Sequence, residues 1–413
     1  VYVSHVALDD FRSYRQIVAT LVPGVNVLSG PNGQGKTNFV EAISYLANLS
    51  SHRVGAESAL VRANPDGTKA NAAVIRLKVC QGERERILEL EIVSSKPNRA
   101  RINRTAVRPR ELAYELKTVI FAPEDLQLVR AEPALRRKFL DEGVAAWRPT
   151  LSQLKTDYEK VLRQRGALLK DLKSGRADSY AQSTLEVWNG QLATLGAQLT
   201  IARENLVAQL LAPTQKAHNK IASQGREIFL AYQRQVDKTI APEKEIEETR
   251  DLAQRLQAAM AQREREEIAR GVNLIGPHRD DLEIKLDHLP VRGFASHGES
   301  WSVALALKLG LYEVLGGQSE DRSERPVLIL DDVFAELDSY RRAALAEIIS
   351  GAEQVLITTA EASELPESLD AHHISVRRDP QAGSIFLETE TLPVDGPVEE
   401  TKTEATGEQG SAS

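Results

Sequence analysis

The chain has 413 residues, long enough for two compact units with well-buried cores. It carries 52 Lys and Arg against 59 Asp and Glu, a formal net charge of −7 at pH 7, so it is no uniformly basic nucleic-acid binder and any contact with DNA must come from a local patch. Its one cysteine, Cys80, excludes a disulfide framework and suits a reducing cytoplasm, no signal peptide opens the sequence, and no apolar run reaches the ~18 residues of a membrane span.

From residue 1 to about 123, strand-like and turn-like segments alternate. Val1–Leu8, Val25–Ser29, Ala73–Val79 and Ile87–Val93 read as strands, the last followed by the polar turn Ser94–Asn98. Gly30-Pro31-Asn32-Gly33-Gln34-Gly35-Lys36-Thr37 lies between the apolar run Val25–Ser29 and a helix-like stretch from Asn38 to Leu49. That is the order a phosphate-binding loop requires. Its glycines let backbone N–H groups close around phosphates, Lys36 brings a point charge to the terminal phosphates, and the Thr37 hydroxyl is placed to ligate Mg²⁺, so the segment predicts a site for ATP and Mg²⁺. Further on, Lys96, Arg99, Arg101, Arg104, Arg108 and Arg110 occur without an intervening acid. In a net acidic chain this is the first candidate for a surface that tracks a DNA backbone, with a charge-protected hairpin edge as the alternative.

From about Pro123 to Ala269 strong strand signals largely vanish. Leu151–Lys173 and Leu185–Leu211 carry Leu or Val at three- and four-residue steps around the polar turn Ser174–Asp178, and predict an antiparallel helical hairpin. At 1.5 Å per residue the first of these helices is ~35 Å long, a short arm rather than a tethering coiled coil. Arg136-Arg137-Lys138 is a second basic cluster, though Phe139 and Leu140 beside it fit a packing role equally. Asp251–Arg270 reads as another helix whose charged end is a solvated face.

Ser296-His297-Gly298-Glu299 precedes a mostly buried helix over Trp301–Leu315. Such a loop is either ordinary capping chemistry or a second anion site able to receive the γ-phosphate of a nucleotide held by another subunit. Past the polar loop Glu320–Glu324, Pro326–Leu330 reads as a fully buried strand ending in Asp331-Asp332. There Asp331 is placed to hold Mg²⁺ through water and Asp332 to orient the water that attacks the γ-phosphate. Glu336-Leu337-Asp338 follows, then a helix over Ser339–Ser350 and a strand over Gln354–Thr358; beyond Thr391 the composition is that of a disordered acidic tail.

In this order the phosphate loop, Ser296-x-Gly298-Glu299, the acid-ended strand and the loop at Asp338 resemble an ABC-type ATPase head. The long separation of Lys36 from Ser296 is similar to the split heads of SMC-type DNA-repair and chromosome proteins and unlike transporter cassettes. Phe11-Arg-Ser-Tyr14, Gly30 to Asn38 followed by Glu41-Ala-Ile43, Ser51-His-Arg53, Phe121-Ala-Pro-Glu-Asp-Leu126, Arg136-Arg-Lys-Phe-Leu-Asp141, Gly276-Pro-His-Arg-Asp-Asp-Leu282 and Leu330-Asp-Asp-Val-Phe-Ala-Glu-Leu-Asp338 resemble blocks of the RecF family of bacterial recombination mediators, from residue 11 to about 360.

The resemblance implies an α/β ABC-type ATPase head, a P-loop NTPase split between 1–123 and 319–391. A mainly helical lobe, 124–318, is inserted between the halves, and 392–413 form the tail. It implies ATP-driven homodimerisation, with Ser296, Gly298 and Glu299 and the D-loop residue Asp338 acting across the interface, and a weak, DNA-stimulated ATPase. Arg12 and Asn38 are then expected near the nucleotide, and Glu124 or Asp125 in the metal-sensing loop. The function implied is DNA binding in gap repair, with RecR and RecO as partners, assistance to RecA loading and the SOS response, in the cytoplasm at the nucleoid. An SMC-like structural DNA organiser is the alternative, against which the short hairpin argues. The sequence departs from the ABC pattern in three places. No histidine stands on Gln354–Ala360, His372 and His373 come too late and read as surface residues, His297 interrupts the signature loop, and Asp332 stands where most ABC ATPases have Glu, which predicts slow hydrolysis.

Overall fold

The computed structural model describes residues 1–387 apart from 65, 94–95, 223–224, 243–247, 318–323 and 380–382. The expected acidic tail, 392–413, most of the loop 320–324 and the lobe boundary at 318/319 lie outside the described residues.

A twelve-stranded sheet runs in the order Thr105–Val107, Arg99–Ile102, Arg84–Val93, Ala72–Gln81, Tyr2–Phe11, Tyr14–Thr20, Gly383–Leu387, Ala371–Asp379, Gly24–Ser29, Gln354–Thr359, Val327–Asp331, Thr118–Phe121. The last five strands are parallel, and the pairings before them antiparallel. Val327–Asp331 and Gln354–Thr359 are buried at every position, as befits strands covered on both faces. Alternate side chains therefore enter two different cores. Val27, Leu328 and Leu330 face one core with Trp301 and Leu305, while Leu28, Val327 and Ile329 face the other with Phe39 and Ile43. The helix Lys36–Asn48 fills that second core against the antiparallel strands, burying Phe39, Val40, Ile43 and Leu46.

Residues 127–316 carry the helices Pro133–Trp147, Leu154–Lys173, Ala181–Ile221, Thr249–Arg270 and His297–Gly316. The hairpin Leu154–Lys173 and Ala181–Ile221 has a core of its own with Thr249–Arg270, centred on Tyr158, Leu192, Leu256 and Met260. Three readings from sequence are corrected here. The second hairpin helix does not stop at Leu211 but continues through Pro213 to Ile221, 41 residues in all and ~61 Å long. Gly310 of His297–Gly316 leaves room for Thr214, the residue after this proline, to pack directly against it. The strand Ile228–Gln233 lies inside the stretch 123–269 that reads as helical; it pairs with Asp281–Leu286 across the helix Thr249–Arg270, a contact that local pattern does not carry, and the hairpin of Asp281–Leu286 with Leu289–Pro290 beyond that stretch completes a three-stranded sheet. Finally, the end of Thr249–Arg270 is not wholly solvated, because Glu267 is fully buried against Arg165.

No helix among the described residues is long and apolar enough to cross a membrane.

Candidate nucleotide-binding site

The phosphate loop hangs between Gly24–Ser29 and Lys36–Asn48 and is braced by the most C-terminal strands of the sheet. Gly30, Gly33 and Gly35 all have positive φ, and side chains at Gly30 and Gly35 would run into the Val376 carbonyl and the Ser384 hydroxyl. Tyr14 Oη donates to the Gly35 carbonyl at 3.1 Å, and Gln34 Oε1 accepts from the Arg378 N–H at 2.6 Å. Pro31 and Asn32 are exposed at the loop's crest. Lys36 is buried and folds back over the loop, its Nζ donating to the carbonyls of Gly30 at 2.6 Å and Pro31 at 3.2 Å. Burial holds the ammonium below the usual lysine range, with the charges of Asp332 and Asp331 opposing the shift.

Thr37 joins this loop to the far end of the chain. Its Oγ1 donates to Asp331 Oδ1 at 2.9 Å, an oxygen that also accepts from Thr358 Oγ1 at 2.5 Å. Asp332 adopts φ 51°, with its N–H held by the Thr358 carbonyl at 3.2 Å and hydroxyl at 3.0 Å. Burial first, and then the negative charge of Asp331, hold the Asp332 carboxyl above the usual range, against the pull of Lys36. Among the described residues no group of three or more His, Cys, Asp or Glu is arranged to hold a metal. Thr37 and Asp331 instead offer a hydroxyl and a carboxylate side by side, which suits a hard cation that takes the rest of its oxygen shell from phosphate and water.

Arg12 and Asn38 are placed beside the loop by a polar network. The Arg12 guanidinium grips the fully buried Glu41 through two bonds, 2.9 and 2.6 Å, and donates to the Ala59 carbonyl at 3.1 Å. Asn38 donates to Ser13 Oγ at 2.8 Å and accepts from Arg53 at 3.0 Å. Asp125 pairs with Lys308 at 2.9 Å on the signature helix, and Glu124 lines the same cleft. His52 also lines this cleft, 3.8 Å from Asp331 Oδ2, and sequence reasoning gave it no role of its own. The sequence marked it only as the middle residue of the block Ser51-His-Arg53, since its neighbour Asp331 comes from the far end of the chain.

Ser296 caps the helix His297–Gly316. Its Oγ accepts from the Glu299 N–H at 3.2 Å and Glu299 Oε2 accepts from the Ser296 N–H at 2.8 Å, so the capping box anticipated as one alternative is present. Glu299 is tied to Arg226 at 2.7 Å, Gly298 lies against the Arg341 guanidinium, and Arg341 pairs with Asp338 and donates to Ser302 Oγ at 3.0 Å. Among the described residues no hydrogen bond or ion pair joins Ser296, Gly298 or Glu299 to the phosphate loop of the same chain. The Asp338 loop instead reaches the start of this helix through Arg341, which pairs with Asp338, bonds Ser302 and lies against Gly298.

The basic stretch forms the hairpin Arg99–Ile102 and Thr105–Val107 at the outer edge of the sheet. Lys96, Arg99, Arg101, Arg104, Arg108 and Arg110 are all exposed; Arg99 and Arg101 also pair with Glu91 and Glu89, and Arg110 bonds Gln153 at 3.2 Å.

A phosphate loop joined to an acid-ended strand from the other end of the chain, with a helical insertion carrying a capped signature loop, defines an ABC-type ATPase head of the split, SMC-like kind. The family model described as RecF/RecN/SMC N terminal domain matches residues 2–381. The chain is 47% identical over 371 residues, 89% of its length and 95% of the relative's, to a Streptomyces avermitilis protein named DNA replication and repair protein RecF. It is 46% identical over 393 residues, 91% of its length and 98% of the relative's, to the protein of that name from Beutenbergia cavernae. Its fold superposes with a TM-score of 0.79 and 26% identity, over 91% of this chain and 95% of the other, on a solved structure described as the recombination mediator protein RecF-ATPrS in RecFOR pathway. The chain belongs to the RecF family.

Proposed function

We propose that this chain is an ATP-dependent DNA clamp of recombinational repair. Lys36, Thr37 and the N–H groups of Gly30–Thr37 bind the phosphates of ATP in one protomer, and Ser296, Gly298 and Glu299 of a second protomer complete the site, with Asp338 carrying the contact between the two active halves. The observation that carries the reading is that the helix opened by the signature loop is linked through Arg341 and Ser302 to the Asp338 loop, while among the described residues no hydrogen bond or ion pair ties Ser296, Gly298 or Glu299 to the phosphate loop of the same chain. Thr37 and Asp331 would hold Mg²⁺, which when bound neutralises charge on the phosphate oxygens. Asp332, more basic than an exposed carboxylate, orients and polarises the attacking water; its short side chain makes hydrolysis slow, and DNA raises the rate. We read 1–123 with 319–391 as the nucleotide lobe and 124–318 as the inserted one.

Each nucleotide favours the dimer only by its differential affinity for it, and hydrolysis removes that preference. Dimerisation doubles the exposed Lys96, Arg104 and Arg108, so DNA binding is ATP-linked and strongly salt-sensitive. RecR and RecO as partners follow the RecFOR pathway named for the solved relative, and gapped or junction DNA as target and RecA loading as outcome are what the family resemblance implies. Light scattering with ATP and Mg²⁺, then with a gapped duplex, tests the clamp: the expected result is a monomer that dimerises on ATP and thereafter holds DNA in a salt-dependent way, and Lys36→Met abolishes both. A mass unchanged by ATP refutes it.

A further inference from the structure

Several arginines of this chain are matched by carboxylates: Arg99 and Arg101 by Glu91 and Glu89, Arg136 by Asp281, Arg203 by Asp141. One seam of the arm differs. The segment 271–279 runs along the helix Leu154–Lys173. Asn273 Nδ2 donates to the Leu162 carbonyl at 3.0 Å, and a side chain at Gly271 would stand 3.2 Å from Lys173 and 3.5 Å from Lys170. Arg163, Lys170 and Lys173 are exposed beside this seam, and Arg279 is exposed at its other end, donating to the Asn273 carbonyl at 3.0 Å. Among the described residues none of these four pairs with a carboxylate. Arg163 and Lys170 make no side-chain hydrogen bond there, and Lys173 and Arg279 donate only to backbone carbonyls. The acids nearby have cations of their own: Glu159 pairs with Lys155, Asp171 with Arg176, and Glu266 with Arg263 and Arg270. Glu264 is turned to the longer hairpin helix, where it accepts from Gln182 at 3.1 Å. A merely solvated face mixes both signs, whereas this band of unmatched cations stands in a chain of net charge −7.

We propose that the band of Arg163, Lys170, Lys173 and Arg279 holds the phosphate backbone of duplex DNA along the arm, as a contact separate from the basic hairpin at the edge of the large sheet. This rests on the reading of the chain as a DNA clamp. A cation gains most from a phosphate when it need not first give up a carboxylate, and each phosphate it neutralises releases condensed counterions. The arm's cations meet that condition, whereas Arg99 and Arg101 of the hairpin do not. Arg163 and Lys173 stand ten residues apart on one helix, ~15 Å at 1.5 Å per residue, which matches about four base pairs of a duplex at 3.4 Å each. In a two-fold dimer the band occurs twice, so both arms reach the same duplex, and the contact carries no base sequence.

The test is the affinity of a fluorescently labelled gapped duplex for the full chain in ATP and Mg²⁺, followed by anisotropy over a series of salt concentrations. It compares the parent with the double variant Arg163→Gln, Lys170→Gln. These two side chains bond nothing among the described residues, so the variant keeps its fold and its ATP-dependent mass, which light scattering checks. The slope of log K against log salt should flatten by about 1.8 if one arm grips the duplex and by about 3.6 if both do, at about 0.9 for each lost phosphate contact. Arg163→Lys should keep the parent slope, since a phosphate held this way needs charge and not a guanidinium fork. A double variant with the parent's slope would make the band a solvated face, and so would a lower affinity at unchanged slope, because the loss would then not be one of phosphate contacts. Either result overturns the proposal. No DNA binding by the parent protein with ATP at any salt would refute the clamp reading itself, a different outcome from both.

Discussion

Replacing Glu267 with alanine removes the only carboxylate that pairs with Arg165 among the described residues, and the Arg165 guanidinium is fully buried among three elements of the arm. Arg165 would keep Asn189 Oδ1 and Asn273 Oδ1, each at 2.6 Å, but neither carries charge. The Leu274 N–H, held by Glu267 Oε1 at 2.7 Å, would also lose its acceptor. Stranding one member of a buried ion pair costs about 3–5 kcal/mol. Glu267→Gln keeps an oxygen for Leu274 and costs less, about 1–3 kcal/mol, while the apolar pair Arg165→Met with Glu267→Leu removes both charges together but still strands the Leu274 N–H, and so also costs about 1–3 kcal/mol. Trp188 packs on the arm's own core whereas Trp147 and Trp301 belong to the larger one, so urea unfolding followed by fluorescence in a Trp147→Phe, Trp301→Phe background reads the arm locally. An alanine variant within about 1 kcal/mol of its parent, or a double variant as unstable as the single one, would refute the reasoning.

Ser296→Arg should bind ATP normally as a monomer and fail to dimerise, since a long cation would fill the helix start that the second protomer's nucleotide must reach; gel filtration with ATP checks it, and a dimer of normal affinity rejects the role across the interface. Asp332→Asn should give a long-lived ATP dimer, read as phosphate release slowed at least 100-fold, in the range lost when general-base assistance is removed. The pair His278 and Asp280 predicts a pH response of opposing signs. Burial pushes His278 down to about 4, so its contribution to stability is lost as pH falls from 6.5 towards 4. Burial pushes Asp280 up to about 6, so its contribution is present below 3.8 and lost as pH rises towards 6. In the parent the two largely offset each other between pH 4 and 6, whereas Asp280→Asn should expose the His278 slope as a fall in urea midpoint on acidification.

The parts of the site legible in sequence are those whose residue types chemistry dictates and whose geometry is local. Gly30 to Thr37 had to lie between a strand and a helix, and the apolar run before Asp331 had to be a buried strand, because both follow from near neighbours. His372 and His373 are exposed, as read. What escaped depends on partners far away in the chain. The charge of Glu267 looked like any solvated helix end until Arg165 was placed beside it, and the strand Ala371–Asp379 carries no strong pattern because only Ile374 and Val376 in it are buried, too few for a clear alternation. His52 is the same lesson within the site: its neighbour Asp331 comes from the opposite end of the sequence.

The Ala371–Asp379 and Gly383–Leu387 pair is wedged between Tyr14–Thr20 and the phosphate-loop strand, and Phe386 packs at a tilt against Phe39 with ring centroids 4.8 Å apart. During synthesis the ribosome therefore delivers the glycine loop early and its braces late. A nascent chain halted before residue 371 has every residue of the loop but neither the Val376 carbonyl behind Gly30 nor Ser384 beside Gly35. Such a chain has a nucleotide-binding sequence without a nucleotide-binding shape, and translation itself sets the moment at which this protein can first engage ATP.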